Sequence, residues 1–179
     1  MTIRWRLFNL YLLVTVAVTM VCGCQTSSSG TKPKKLLSTL RLHLEASRSA
    51  TEATEVVPIY RVEPIMVRVE KVPFLTEGDV AEAKVVDVGD DFALCIRFGG
   101  LGAALFEQQT AANRGRRIAI FSQFGEHIEN ARWLGAPVIA SRSSDSVLTF
   151  TPDATRAEAE EIATGLNNVT EKVKTWVDR

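Results

Sequence analysis

The chain has 179 residues and carries 21 basic and 21 acidic side chains, so it is neutral overall. That balance excludes the basic excess of a nucleic-acid surface. Its hydrophobic content of 46% is ample for a packed core, and the length fits one domain plus a short extension.

The first residues follow the order of a secretory signal. Arg4 and Arg6 form a basic start, and Leu7 to Val21 is an apolar run interrupted by Asn9, Tyr11 and Thr15. It is short for a membrane-spanning helix of ~20 residues. It ends in Val21-Cys22-Gly23-Cys24. An aliphatic residue, two small residues and a cysteine form the pattern cut by the lipoprotein signal peptidase, which makes Cys24 the expected lipidated N-terminus. Cys22 fits that role less well, because Val21 is bulky for the position before the cut. Acyl chains contribute ~0.8 kcal/mol per buried methylene, so a multiply acylated cysteine stays in its membrane. The expected site is the cell envelope, facing the periplasm. Gln25, where an aspartate would favour the inner membrane, points to the outer membrane.

Removing the signal leaves 19 basic and 21 acidic residues, a net charge near −2. Cys95 is then the one cysteine left free, so no intramolecular disulfide is available. It lies in the apolar run Phe92–Ile96 and reads as a buried structural thiol. Residues 25–35 are polar, rich in Ser and Gly, and end in a lysine cluster. This is the composition of a flexible tether, with an extended reach of roughly 35 Å at ~3.3 Å per residue. The expected organisation is a signal over 1–23, a lipidated tether over 24–36 and a domain over 37–179.

Leu40 to Glu45 alternates strictly and predicts a strand, with His43 solvated on its polar face between Arg41 and Glu45. Ser47 to Glu55 reads as a loop. Ile65 to Glu70 alternates again. After a turn at Glu77-Gly78-Asp79, Val80 to Val88 predicts a strand, and Gly89-Asp90-Asp91 a hairpin turn into the strand of Phe92, Leu94, Ile96 and Phe98. Gly102 to Arg114 predicts a helix whose apolar stripe begins at Leu101, Leu105 and Phe106, with Gly115 as its cap. Arg116 to Phe121 reads as a buried strand, and Gln123 to Glu126 as its turn. Trp133 to Ile139 is extended or irregular around Pro137, and Ser146 to Phe150 is a further strand.

Thr155-Arg156-Ala157-Glu158 is a capping box opening a helix that turns Ala159, Ile162, Ala163 and Leu166 inward. Val169, Val173, Trp176 and Val177 extend its stripe, with a break expected at Asn167-Asn168. The order of elements predicts an α+β domain: a mostly antiparallel sheet with two main helices on one face, plus a C-terminal helix.

Chemistry-bearing clusters are sparse. The histidines are His43 and His127, and Ser122 and Glu126 near His127 fall at an expected hairpin tip without a glycine elbow to hold a serine. Clustered His and Cys for a transition metal are absent, and Gly99-Gly100-Leu101-Gly102 has neither phosphate-loop nor dinucleotide spacing. The reading is therefore non-enzymatic, with no cofactor, no metal, no nucleic acid and no small-molecule substrate.

Phe106, Thr110, Gly115 and Arg116-Arg117-Ile118-Ala119-Ile120 resemble a run in the first periplasmic (P1) domain of the SecD protein-export subunit. The pieces that follow also match in order: the Gly125 turn, Ile128, Pro137 with Val138-Ile139, Val147 to Phe150, and Thr155 to Ala163. Upstream, Val72 to Val86 is similar to the segment entering the head subdomain. The similarity covers Leu40 to Leu166 and is clearest over 72–166. Two departures stand out. Phe124-Gly125 replaces the usual Asp-Gly turn, and Ser141 to Ser146 replaces a glycine-rich stretch. SecD continues into ion-coupled membrane helices, which are not expected here past Arg179.

The resemblance implies a membrane-tethered, non-catalytic head domain that binds exported polypeptide or a Sec or envelope protein. The alternative is a structural envelope lipoprotein that borrows the fold and assembles with itself or a membrane complex. The candidate binding surface is Phe124, Gly125, Trp133 and Pro137. An exposed Trp133 would mark a binding face, whereas one that covers the core would not.

Overall fold

The computed structural model describes residues 36–47, 53–125 and 130–177. The signal, Cys24, the tether up to Lys35, Glu126, His127 and Ile128 lie outside the described residues.

Strand β1 (Thr39–Leu44) sits inside a four-stranded antiparallel sheet of order β4-β1-β7-β8, with β4 Leu75–Thr76, β7 Ile118–Phe124 and β8 Asn130–Gly135. A second sheet has the order β5-β6-β9, from Val80–Val88, Asp91–Phe98 and Val147–Phe150. Helix α1 (Gly100–Ala112) and helix α2 (Arg156–Val177) pack with both sheets around one main core. Leu40, Leu42, Leu94, Ile96, Phe106 and Leu166 are among its members and are essentially inaccessible. The α+β fold with antiparallel sheets and two helices is the one expected.

Alternation decides which face of β1 meets this core. Leu42 pairs with Ile120, and both point inward. Arg41, His43, Ala119 and Phe121 lie on the other face. That face is not left to solvent. A hairpin of β2 (Thr54–Ile59) and β3 (Ile65–Glu70) lies over it and closes a second core from Val57, Ile59, Val67, Val69, Ala119 and Ala136. His43 is therefore 6% exposed rather than solvated. Its Nδ1 donates to the Glu70 carbonyl at 2.8 Å, and its ring meets Trp133 edge-on at 5.3 Å.

The hairpin is tied at both ends. At its base, Ala46 N–H donates to Arg68 O at 2.8 Å. There too, Arg116 reaches the Glu45 carbonyl, Asn113 and Glu70 together. At its tip, Arg61 Nε meets Asp153 at 3.1 Å. Tyr60, just before it, takes a left-handed φ of 73°.

Helix α2 opens on the expected box, with the Thr155 N–H and hydroxyl both on Glu158. It runs unbroken through Asn167-Asn168, where a break was expected, because both side chains find partners off the helix. Asn167 bonds both the N–H and the carbonyl of Ala83 at 2.8 Å, and Asn168 donates to Leu36 O at 2.9 Å. In α1, Leu101 is 84% exposed and does not join the apolar stripe expected of it. No helix among the described residues is long and apolar enough to cross a membrane.

Candidate functional site

The four residues predicted as a binding surface do not form one exposed surface: Phe124 and Gly125 are buried, and Trp133 and Pro137 are half-buried. Phe124 ends β7 fully buried in the main core, with the Arg132 guanidinium 5.0 Å from its ring centroid. It is a core anchor, not a surface residue. Strand β7 runs on to Phe124 instead of turning at Gln123, so the side chain keeps the inward parity of Ile118, Ile120 and Ser122. Gly125 follows, also buried, with a φ of 105°. Trp133 is half-buried against the second core and contacts Phe121 at 5.3 Å as well as His43. It closes the hairpin onto the sheet. Ser122 is buried too and donates to Thr39 O at 2.8 Å, so its hydroxyl is committed to holding β1.

Pro137 is different. It lines a groove of about 510 Å³ whose floor includes Phe106 of α1, Ile118 and Ile139, with β9 along one side. On the other side, the Ile118 N–H donates to Pro137 O at 3.0 Å and the Ile139 N–H to Arg116 O at 2.8 Å. Those bonds fix the segment to β7 and leave Val138, 51% exposed, towards the groove.

The rim is built by the serine-rich run that sequence reading noted only as a departure. Thr110 Oγ1 donates to Phe106 O at 2.9 Å and accepts the Ser143 N–H at 3.1 Å, which seats the run on α1. Arg142 pairs with Glu107 of the same helix. Ser143 Oγ lies 2.8 Å from Asp145 Oδ1 and 3.2 Å from Val147 O, and the Val147 N–H donates to the same Asp145 oxygen at 3.2 Å. The Ser143 hydroxyl first, and then the Val147 N–H, hold the Asp145 carboxyl below its ordinary range.

A concave groove with a hydrogen-bonding rim and an exposed Val138 suits binding, and the lining holds no histidine or cysteine. The available signal was the polar run Ser141–Ser146 between two apolar segments, Val138-Ile139 and Val147–Phe150. Cys95 lies elsewhere, half-exposed on the outer face of the second sheet, opposite Lys84 and beside Arg97. The buried-thiol reading is corrected accordingly, since its neighbours Leu94 and Ile96 take the inward parity.

Residues 52–169 match the family model of the SecDF P1 head subdomain. The chain belongs to this family. Two solved structures share the fold at 23% identity. One is of a membrane component SecDF that enhances protein export, with a TM-score of 0.51 over 74% of this chain and 63% of that one. The other is SecDF in a super-membrane-facing form, with a TM-score of 0.53 over 74% of this chain and 19% of that one. This chain therefore spans less than two thirds of either SecDF chain. None of the curated proteins compared matches it.

Proposed function

We propose that this chain is an envelope lipoprotein, anchored through lipid on Cys24, whose head domain binds polypeptide without catalysis in a role linked to protein export. Its parts are a signal over 1–23, a tether over 24–36 and the domain from residue 37. The observation that carries the reading is the match of 52–169 to the SecDF P1 head, whose relative is a component that enhances export. The groove beside β9 supports it, being a concave surface with a polar rim and an exposed valine at its edge.

Two experiments test the reading. A photo-crosslinker in place of Val138, activated in cells and followed by mass spectrometry, is expected to capture heterogeneous exported chains. One stoichiometric envelope partner would instead establish the structural alternative. Radioactive fatty acid is expected to label the wild type and not Cys24→Ala; label on the variant would refute the anchor.

A further inference from the structure

We propose that the free edge of β9 is a strand-addition site for an extended segment of polypeptide, held shut in this structure by the side chains of Ser143 and Asp145. The inference rests on the polypeptide-binding reading and specifies how the groove would be used.

The register fixes which backbone groups are on offer. The Phe98 N–H donates to Ser146 O at 3.0 Å, which makes Phe98 and Ser146 a hydrogen-bonded pair. Antiparallel alternation then turns the amides of Leu148 and Phe150 towards β6, and those of Val147 and Thr149 outward. The groove is lined by Val147, Leu148 and Thr149 of β9 and by no residue of β6, so it lies along this outward edge.

The two edges of this sheet are closed in different ways. On β5, Asn167 takes both the N–H and the carbonyl of Ala83, and Thr170 donates to Val80 O at 2.8 Å. Those caps come from the packed face of α2, and removing them would mean lifting the helix. On β9, the outward N–H of Val147 goes to Asp145 Oδ1, and the one Ser143 hydroxyl proton is shared between that oxygen at 2.8 Å and the Val147 carbonyl at 3.2 Å. These two side chains imitate a neighbouring strand for one residue. They stand on a loop where Asp145 is exposed, so water can replace both bonds without disturbing the core. Thr149, two residues on and exposed, offers the next outward pair.

An incoming strand would take the place of Ser143 and Asp145 at Val147 and continue to Thr149. Its alternate side chains would face Pro137, Val138 and Ala140, the apolar lining residues that the core does not bury. Recognition is therefore of extended backbone with apolar residues at every second position, largely independent of sequence.

The probe is a fluorescein-labelled peptide of alternating valine and threonine flanked by lysines, titrated by anisotropy against the full chain in detergent micelles. Two further versions carry N-methyl groups on every second amide, one version for each edge of the peptide. Methylation of one edge is expected to weaken binding by about tenfold or more, and methylation of the other to leave it intact. Thr149→Pro removes an outward N–H at an edge position that tolerates proline and is expected to weaken binding similarly. Ser143→Ala with Asp145→Ala should tighten it several-fold.

Equal binding of both methylated peptides overturns the proposal, independently of any variant's folding. So does wild-type affinity in a folded Thr149→Pro, self-association through this edge in place of peptide binding, or no binding of the parent peptide. In each case the broader reading survives if the Val138 crosslinker still captures exported chains, and it fails separately if none is captured.

Discussion

Gly165→Ala is expected to destabilise the domain, although the same change in an exposed helix would stabilise it. Gly165 lies inside α2, where alanine is favoured over glycine by ~1 kcal/mol. Against this stands the segment entering β1. A Cβ at Gly165 would fall 2.1 Å from Ser38 Oγ, 2.7 Å from the Ser38 backbone nitrogen and 2.8 Å from Ser38 Cβ. Rotating the serine relieves only the first contact. The other two require the helix or the strand lead-in to move, and Asn168, bonded to Leu36 O, anchors the same pair of segments. Forcing extra volume into a packed site costs ~1–3 kcal/mol.

The contact with the Ser38 backbone nitrogen puts the cost in the upper part of that range, about 2–3 kcal/mol, so the two effects leave a net loss of about 1–2 kcal/mol. For a domain of this size that lowers Tm by roughly 2–8 °C. Urea denaturation followed by far-UV circular dichroism measures it, with an unchanged m-value showing that the same surface is exposed. Adding Ser38→Gly removes Oγ and Cβ but leaves the backbone nitrogen, so the double variant should recover part of the loss and not all of it. A Gly165→Ala variant as stable as the wild type, or more so, would show that helix propensity wins and that the close approach to Ser38 is soft.

Three further outcomes follow from named contacts. Asn167→Ala strips both partners from Ala83 and should cost about 2 kcal/mol in the same denaturation assay, since buried backbone groups left unpaired carry their full desolvation penalty. Arg116→Ala should cost about 2–3 kcal/mol and speed amide exchange in β2 and β3 above other strands, because one guanidinium joins Glu45, Asn113 and Glu70. Burial would raise the Glu158 carboxyl, but the Thr155 N–H and Arg132 outweigh it and hold it below its ordinary value. With the folded value depressed, its contribution is present above the unfolded glutamate range and is lost as pH falls through the folded value. Wild type should therefore lose more Tm than Glu158→Gln between pH 6 and pH 3.

Much of the framework was legible because its local signals agree. The alternation of Leu40, Leu42 and Leu44, the hairpin turn before Phe92 and the box at Thr155 each name an element that the structure contains. What failed to show was a second layer. Strict alternation in β1 assigns His43 to water only if nothing covers that face, and β2, whose start at Thr54–Glu55 reads as loop and which contains Pro58, gives little strand signal. Phe124 was misplaced by three residues of extra strand, enough to carry a supposed turn residue into the core. Of the residues that line the groove, the sequence singles out Pro137 but neither Ser143 nor Asp145. Their role depends on Val147 being turned outward by its pairing with β6, a long-range register that no local pattern encodes.

On the strand-addition proposal, that register also bears on how such an edge avoids being a sticky one. A free sheet edge invites indiscriminate pairing. In this domain β5 is closed by α2 and β4 is only two residues long. On β9 the closure is one serine and one aspartate on an exposed loop. An arriving strand exchanges their bonds to Val147 for equivalent ones, so net backbone gain at that residue is small against the ~0.5–1.5 kcal/mol of a typical hydrogen bond. Affinity must then come from Thr149 and from apolar side chains packing on Pro137 and Val138. An extended apolar segment would be retained, while a polar one would gain too little to displace the cap. The aspartate adds a second filter, because its charge at the rim opposes acidic segments.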